Sequence, residues 1–85
     1  MQLARFLNSV FKNDGFILVD AQSKNYIIGS PKSDKPIKVK ILDKKLYYKL
    51  LLHPDLYFGE AYTNGEIIIE NGSLTDFLDL ALKNL

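Results

Sequence analysis

The sequence predicts an α+β fold: a mostly antiparallel sheet of about four to five strands with helices packed on one face. Three observations carry this expectation. Apolar residues recur at three- and four-residue spacing in several stretches, the signature of helices with one buried face. Between them lie short runs that are uniformly apolar or alternate with period two, the signature of strands. Clusters of Gly, Asn, Asp and Pro punctuate nearly every boundary. With 85 residues, the chain reads as a single domain spanning 1–85, which buries roughly 60% of its unfolded surface.

Each element follows in order. Leu3, Phe6, Leu7, Val10 and Phe11 form one helical stripe. "NDG" at 13–15 ends it, with Gly15 expected in the left-handed conformation. "FILVDA" (16–21) reads as a well-buried strand and "YIIGS" (26–30) as its hairpin partner across "QSKN". "PKSDKP" (31–36) is a loop, with two prolines and no other apolar residue. "IKVKILD" (37–43) alternates, placing Ile37, Val39 and Ile41 on one face and Lys38 and Lys40 on the other. Asp43 is expected to cap a helix in "KKLYYKLLL". Pro54 breaks that helix, and Asp55 is expected to start the next, through Leu56, Phe58 and Tyr62. "EIIIEN" (66–71) is a fourth strand. Ser73 and Asp76 then form a capping box for a last helix carrying Leu74, Phe77, Leu78, Ala81, Leu82 and Leu85. The predicted order is α-β-β-β-α-α-β-α.

Composition narrows the chemistry. The absence of cysteine removes thiolate nucleophiles, disulfides and cysteine-based zinc sites. A single histidine, His53, excludes a histidine-rich metal centre, and its place beside Pro54 marks a helix break. No catalytic triad, phosphate-cradling glycine loop or spaced carboxylate pair is enforced, so neither a catalytic nor a metal site is expected. No stretch is long and apolar enough to cross a bilayer, and no signal peptide is legible, giving a cytoplasmic expectation.

The net charge of +1 conceals a division. Residues 24–49 carry eight lysines against two aspartates, a local net of +6. Residues 54–85 carry six acids against Lys83, a local net of −5. A single arginine and the near-neutral total argue against a nucleic-acid partner. The lysines read either as a solvated face or as contacts for anionic headgroups.

"GEAYTNG" (59–65) concentrates Gly59, Glu60, Tyr62 and Gly65 in one short segment. Its residues are expected to join helix to strand. Gly65 ends the helix with positive φ, Gly59 permits close backbone approach, and Tyr62 buries its ring. Glu60 is expected between apolar neighbours, needing either backbone amides or a cation from a partner.

The whole segment Pro54-Asp55-Leu56, Gly59-Glu60-Ala61-Tyr62, Gly65, then Leu74, Asp76, Phe77 and Leu78, resembles the N-terminal domain of cyclopropane-fatty-acyl-phospholipid synthases. "LARFL", "GFILVDA" (15–21) and "IKVKILD" extend the likeness over essentially the whole chain. "YTNGEIIIENGSL" is more distantly similar to sterol-carrier-protein-like lipid-binding domains. The resemblance implies a sheet with helices over one face and an apolar pocket for acyl chains. It also implies a non-catalytic role in positioning or docking lipid or membrane-borne substrate. A separate methyltransferase domain, in cis or trans, would bind S-adenosylmethionine, so no cofactor is expected in this chain. Leu51, Leu56, Phe58 and Phe77 are then expected to border a groove for acyl chains. Lys32, Lys35, Lys38, Lys40, Lys44 and Lys45 are expected to meet an anionic membrane surface, placing the chain peripherally at the inner membrane face. The alternative is a protein–protein interaction or homodimerisation module with no lipid pocket.

Overall fold

A computed structural model describes residues 1–84. The elements run α1 (Gln2–Val10), β1 (Gly15–Val19), β2 (Asn25–Gly29), β3 (Lys38–Ile41), α2 (Leu46–Leu52), α3 (Pro54–Thr63), β4 (Ile67–Glu70) and α4 (Leu74–Lys83). Their type and order match the sequence expectation, and the strands number four. The sheet order is β2-β1-β3-β4. Two of its three pairings are antiparallel, while β1 and β3 run parallel. A parallel pair ordinarily needs a long crossover. Here β2 has already carried the chain back, so the loop 30–37 only passes under the end of β1.

Strand alternation then sorts the side chains. Phe16, Leu18, Ile28, Val39, Ile41 and Ile67 share one face and are all buried. All four helices send residues to the same core: Leu3 and Ala4 from α1, Leu46 and Leu50 from α2, Ala61 from α3, and Phe77 and Leu80 from α4. The opposite face has no helix over it. It carries Ile17, Ile27, Lys38, Lys40, Ile68 and Glu70 by register, with Ile27 and Ile68 exposed. Among the described residues no helix is long and apolar enough to cross a membrane.

Four phenylalanines knit the helical layer to the sheet. Phe16 makes edge contacts with Phe11 and Phe77, each with ring centroids 5.0 Å apart. Phe77 in turn stacks on Phe58 at 5.1 Å. Such pairs contribute about 0.5–1.5 kcal/mol beyond area burial.

The α1–β1 junction departs from the sequence expectation. The left-handed residue is Asp14 (φ 80), not Gly15. Gly15 instead lies in β1 opposite Gly29, where a Cβ would collide with the Ile28 carbonyl oxygen. Close strand approach, rather than positive φ, is what requires this glycine. Asp14 turns its carboxylate onto the backbone amides of Gly15 (2.8 Å) and Lys32 (3.0 Å), and pairs with Lys83 at 3.3 Å. One side chain thus ties together the start of β1, the proline-bearing loop and the end of α4. Asn84 adds a bond from the Asn13 amide to its own Oδ1.

Two helix starts also differ. Asp43 does not cap α2. Its carboxylate accepts from the Lys45 amide and its carbonyl from the Leu46 amide, so a tight turn absorbs Lys44 and Lys45 and the helix opens at Leu46. Helix α3 opens at Pro54 rather than Asp55, because proline's fixed φ suits the first helical position. The capping box at α4 forms as expected, with Ser73 and Asp76 each accepting the other's backbone N–H.

Two measurements check this account. Phe16→Ala should cost about 3–5 kcal/mol in urea unfolding. That is a large part of the roughly 4–13 kcal/mol available to a domain this size, so the urea midpoint should fall markedly. For Asp14, the hydrogen bond from the Lys32 amide leads in holding its carboxyl below the ordinary value, with Gly15 and Lys83 assisting and burial partly opposing. Because the folded-state value is depressed, its contribution is present above the ordinary carboxyl range and lost as pH falls through the folded value. Asp14→Asn should therefore be less stable at neutral pH and lose less stability between about pH 5 and 2.

Candidate functional site

The segment 59–65 lies on α3 and the turn after it. Its C-terminal half is a helix stop of known type. Gly65 takes φ 75, its amide donates to the Tyr62 carbonyl at 3.1 Å, and the Glu66 amide donates to the Ala61 carbonyl at 2.8 Å. These two bonds define a Schellman motif, which passes the chain directly into β4. Ala61, 1% exposed, faces the core beside Phe58. For Gly65 and Ala61, the joining role expected from the sequence is what the structure displays.

Gly59, Glu60 and Tyr62 behave otherwise. Gly59 is exposed in mid-helix, and a Cβ built there would meet nothing within 4 Å, so no close approach inside the domain explains it. Glu60 is exposed too, with no side-chain hydrogen bond or ion pair among the described residues. The expected buried carboxylate does not occur. Tyr62 is 39% exposed rather than buried, and its hydroxyl bonds to no described group. Helical geometry explains the first two: with Ala61 and Phe58 turned inward, positions 59 and 60 turn out, while Tyr62, four residues after Phe58, lies at the border of the buried face. Leu56, 60% exposed, and Thr63 share that outer face.

The four apolar residues expected at an acyl groove are not gathered into one. Phe77 is buried and Phe58 half-buried at the wall of an apolar crevice of about 50 Å³, which Leu3, Leu50 and Ile67 also line. Leu51 packs partly buried against the core, and Leu56 faces solvent. The crevice is well below the roughly 300–1,000 Å³ of ordinary small-ligand pockets. It does not enclose an acyl chain. A larger, open cleft of about 320 Å³ lies between the 33–37 loop and α4, lined by Asp14, Lys35, Ile37, Asn71, Asp79 and Lys83. No group of three or more metal-ligating side chains is found among the described residues.

The lysines are strung along β3 rather than clustered. Lys38 and Lys40 are half-buried on the open sheet face, and Lys40 pairs with Glu70 across the strands at 3.4 Å. Lys44 and Lys45 lie exposed in the turn beyond one end of β3, and Lys32 and Lys35 in the loop before the other. Lys49 lies over the Tyr57 ring at 5.4 Å, tying α2 to α3.

Sequence reasoning missed three side chains that hold this frame. Tyr47 accepts the Ala21 amide at 2.8 Å, Asn8 accepts the Gly29 amide at 2.8 Å, and Asp20 accepts the amides of Gln22 and Lys24. Only Asp20 had a local signal, as an acid opening a short turn.

No family model, curated protein or solved structure matches this chain.

The two glycines of the motif should respond oppositely to alanine. Gly59→Ala should stabilise the domain by about 0.5–1 kcal/mol through helix propensity. Gly65→Ala, with equal open space but positive φ, should destabilise it by about 1–2 kcal/mol. Thermal unfolding of both variants reads the sign directly.

Proposed function

We propose that this chain is a non-catalytic docking module in an S-adenosylmethionine-dependent system of the cyclopropane-fatty-acyl-phospholipid synthase kind, positioning lipid substrate for a separate methyltransferase domain. The observation that carries the reading is the outward placement of Gly59, Glu60 and Tyr62. A glycine inside a helix costs stability, and nothing within this domain requires one at 59. The missing Cβ leaves a flat spot beside Leu56, where a partner's backbone can approach closely. Glu60 then offers a carboxylate to a basic group on that partner. The cofactor belongs to the methyltransferase domain, held in cis or in trans.

The lipid half of the reading rests on surface contact. Lys38, Lys40, Lys44 and Lys45 would face anionic headgroups, each contributing about 1 kcal/mol near such a surface. The sterol-carrier-protein-like architecture belongs to the same proposal, supported by helices gathered on one face of a sheet. Its enclosed acyl pocket has no counterpart in the small crevice. That crevice, together with exposed Leu52 and Leu56, favours the second reading: an interaction or dimerisation module without a lipid pocket.

The experiment mixes the purified chain with a catalytic domain of this enzyme class and with vesicles. Gly59→Leu should keep the fold yet weaken association with the catalytic domain by about tenfold or more, a loss of ~1.4 kcal/mol. Unchanged affinity would remove the docking reading. The chain should cosediment with anionic vesicles in a salt-sensitive manner. Equal binding to neutral vesicles would remove the lysine contribution.

A further inference from the structure

Helix α2 turns Leu46 and Leu50 into the core. Its opposite side, at helical spacing from the N-cap, is the stripe Lys45, Tyr48, Lys49 and Leu52, all exposed. Tyr48 is 69% and Leu52 73% exposed, more than any other large apolar side chain among the described residues. Lys44, in the turn ahead of the helix, is exposed as well. None of the three lysines has an ion-pair partner among the described residues. The Asp43 carboxylate is taken by the Lys45 amide, and residues 44–54 contain no acid.

Fold stability does not account for this stripe. Cations at a helix N-terminus oppose the macrodipole, and α2 has neither an acid in its first turn nor a side-chain cap. Lys44 and Lys45 therefore stand at the unfavourable end of the helix. Single exposed apolar groups are ordinary. Two on one short stripe, among three unpaired cations and no acid, form a pattern of basic and apolar groups suited to a lipid surface.

We infer that the outer stripe of α2 is the part of this chain that enters an anionic lipid surface. Tyr48 and Leu52 reach the upper acyl carbons, and Lys44, Lys45 and Lys49 meet the headgroups. The inference rests on the lipid half of the reading above and gives it an orientation. Lysine stems lie along apolar surface while their charged ends stay in water, and tyrosine suits the boundary between acyl chains and water. Headgroup phosphates neutralise lysines that nothing inside the domain neutralises. Size argues against a protein partner for the same stripe. Seven residues make a helix about 10 Å long, whose outer side falls far short of the roughly 800 Å² that each partner buries in a stable protein interface. Insertion of two side chains into lipid needs no matching surface.

The chain has no tryptophan, so one introduced at a time reports its own surroundings. Tyr48→Trp and Leu52→Trp are mixed with vesicles of phosphatidylglycerol and phosphatidylcholine, then sedimented and read by fluorescence. Both should emit at shorter wavelength on the vesicles and be quenched by brominated acyl chains. Leu82→Trp, at a similarly exposed position on α4, should do neither. Leu52→Ser should weaken vesicle binding about tenfold, with an unchanged unfolding temperature because the side chain packs on nothing. Lys44→Gln and Lys45→Gln should each weaken it about fivefold, an effect that high salt removes. Sedimentation without a shift at positions 48 and 52 would overturn this inference while leaving the lipid reading intact. An equal shift at position 82 would overturn it too. If the unsubstituted chain does not sediment with these vesicles, the inference falls together with the lipid reading. A Leu52→Ser variant that keeps its vesicle affinity but loses the catalytic domain would reassign the stripe to a protein partner.

Discussion

The packing of Phe16 against Phe77 is the contact on which the rest of this small fold depends. Phe16 projects from the central stretch of the sheet, and Phe77 from the last helix, 61 residues later in the chain. Phe11 closes on Phe16 from the end of α1, and Phe58 stacks on Phe77 from α3. A chain this short has room for one hydrophobic core only. Placing its large aromatic groups on one side of β1 commits every helix to that side.

The surface follows from that commitment. With the four helices on one face, the other face of the sheet stays open and keeps Ile27 and Ile68 in solvent. Lys38, Lys40 and Glu70 lie among them, breaking the apolar surface with charge of both signs. The same arrangement leaves β4 with one strand neighbour and turns one side of α3 outward. These surfaces are consequences of where the core sits, with mixed charge on the sheet and acid beside a bare helix backbone on α3.

The GEAYTNG segment shows how one short motif divides between two tasks. Gly65 and Ala61 hold helix to strand, one through positive φ and the other through the core. Gly59, Glu60 and Tyr62 sit on the same helix with no such internal role. A joint and an outward surface are therefore built from interleaved residues, because a helix turns through 100° at each step. The two glycines have the same chemical formula, and backbone geometry alone separates their roles.

What the sequence by itself determined was local. The eight elements and their order, the Ser73–Asp76 capping box and the positive φ at Gly65 all depend on residues close in the chain, and periodicity or turn chemistry exposes them. Which face of β3 is buried was equally legible, since strict alternation leaves one choice. Tertiary structure alone decided what depends on distant partners. The pairing of β1 with β2 runs on to Gly15 opposite Gly29, which assigns Gly15 to a close strand contact while the left-handed turn falls at Asp14, and β3 adds to β1 in parallel rather than to β2. The rotation of α3 about its axis, set by Ala61 and Phe58 against the core, exposes Glu60 and leaves Tyr62 at the border of the buried face, although their apolar neighbours in sequence suggested burial. Spacing along a chain states which residues share a helix face, but only packing against the sheet states which face meets water.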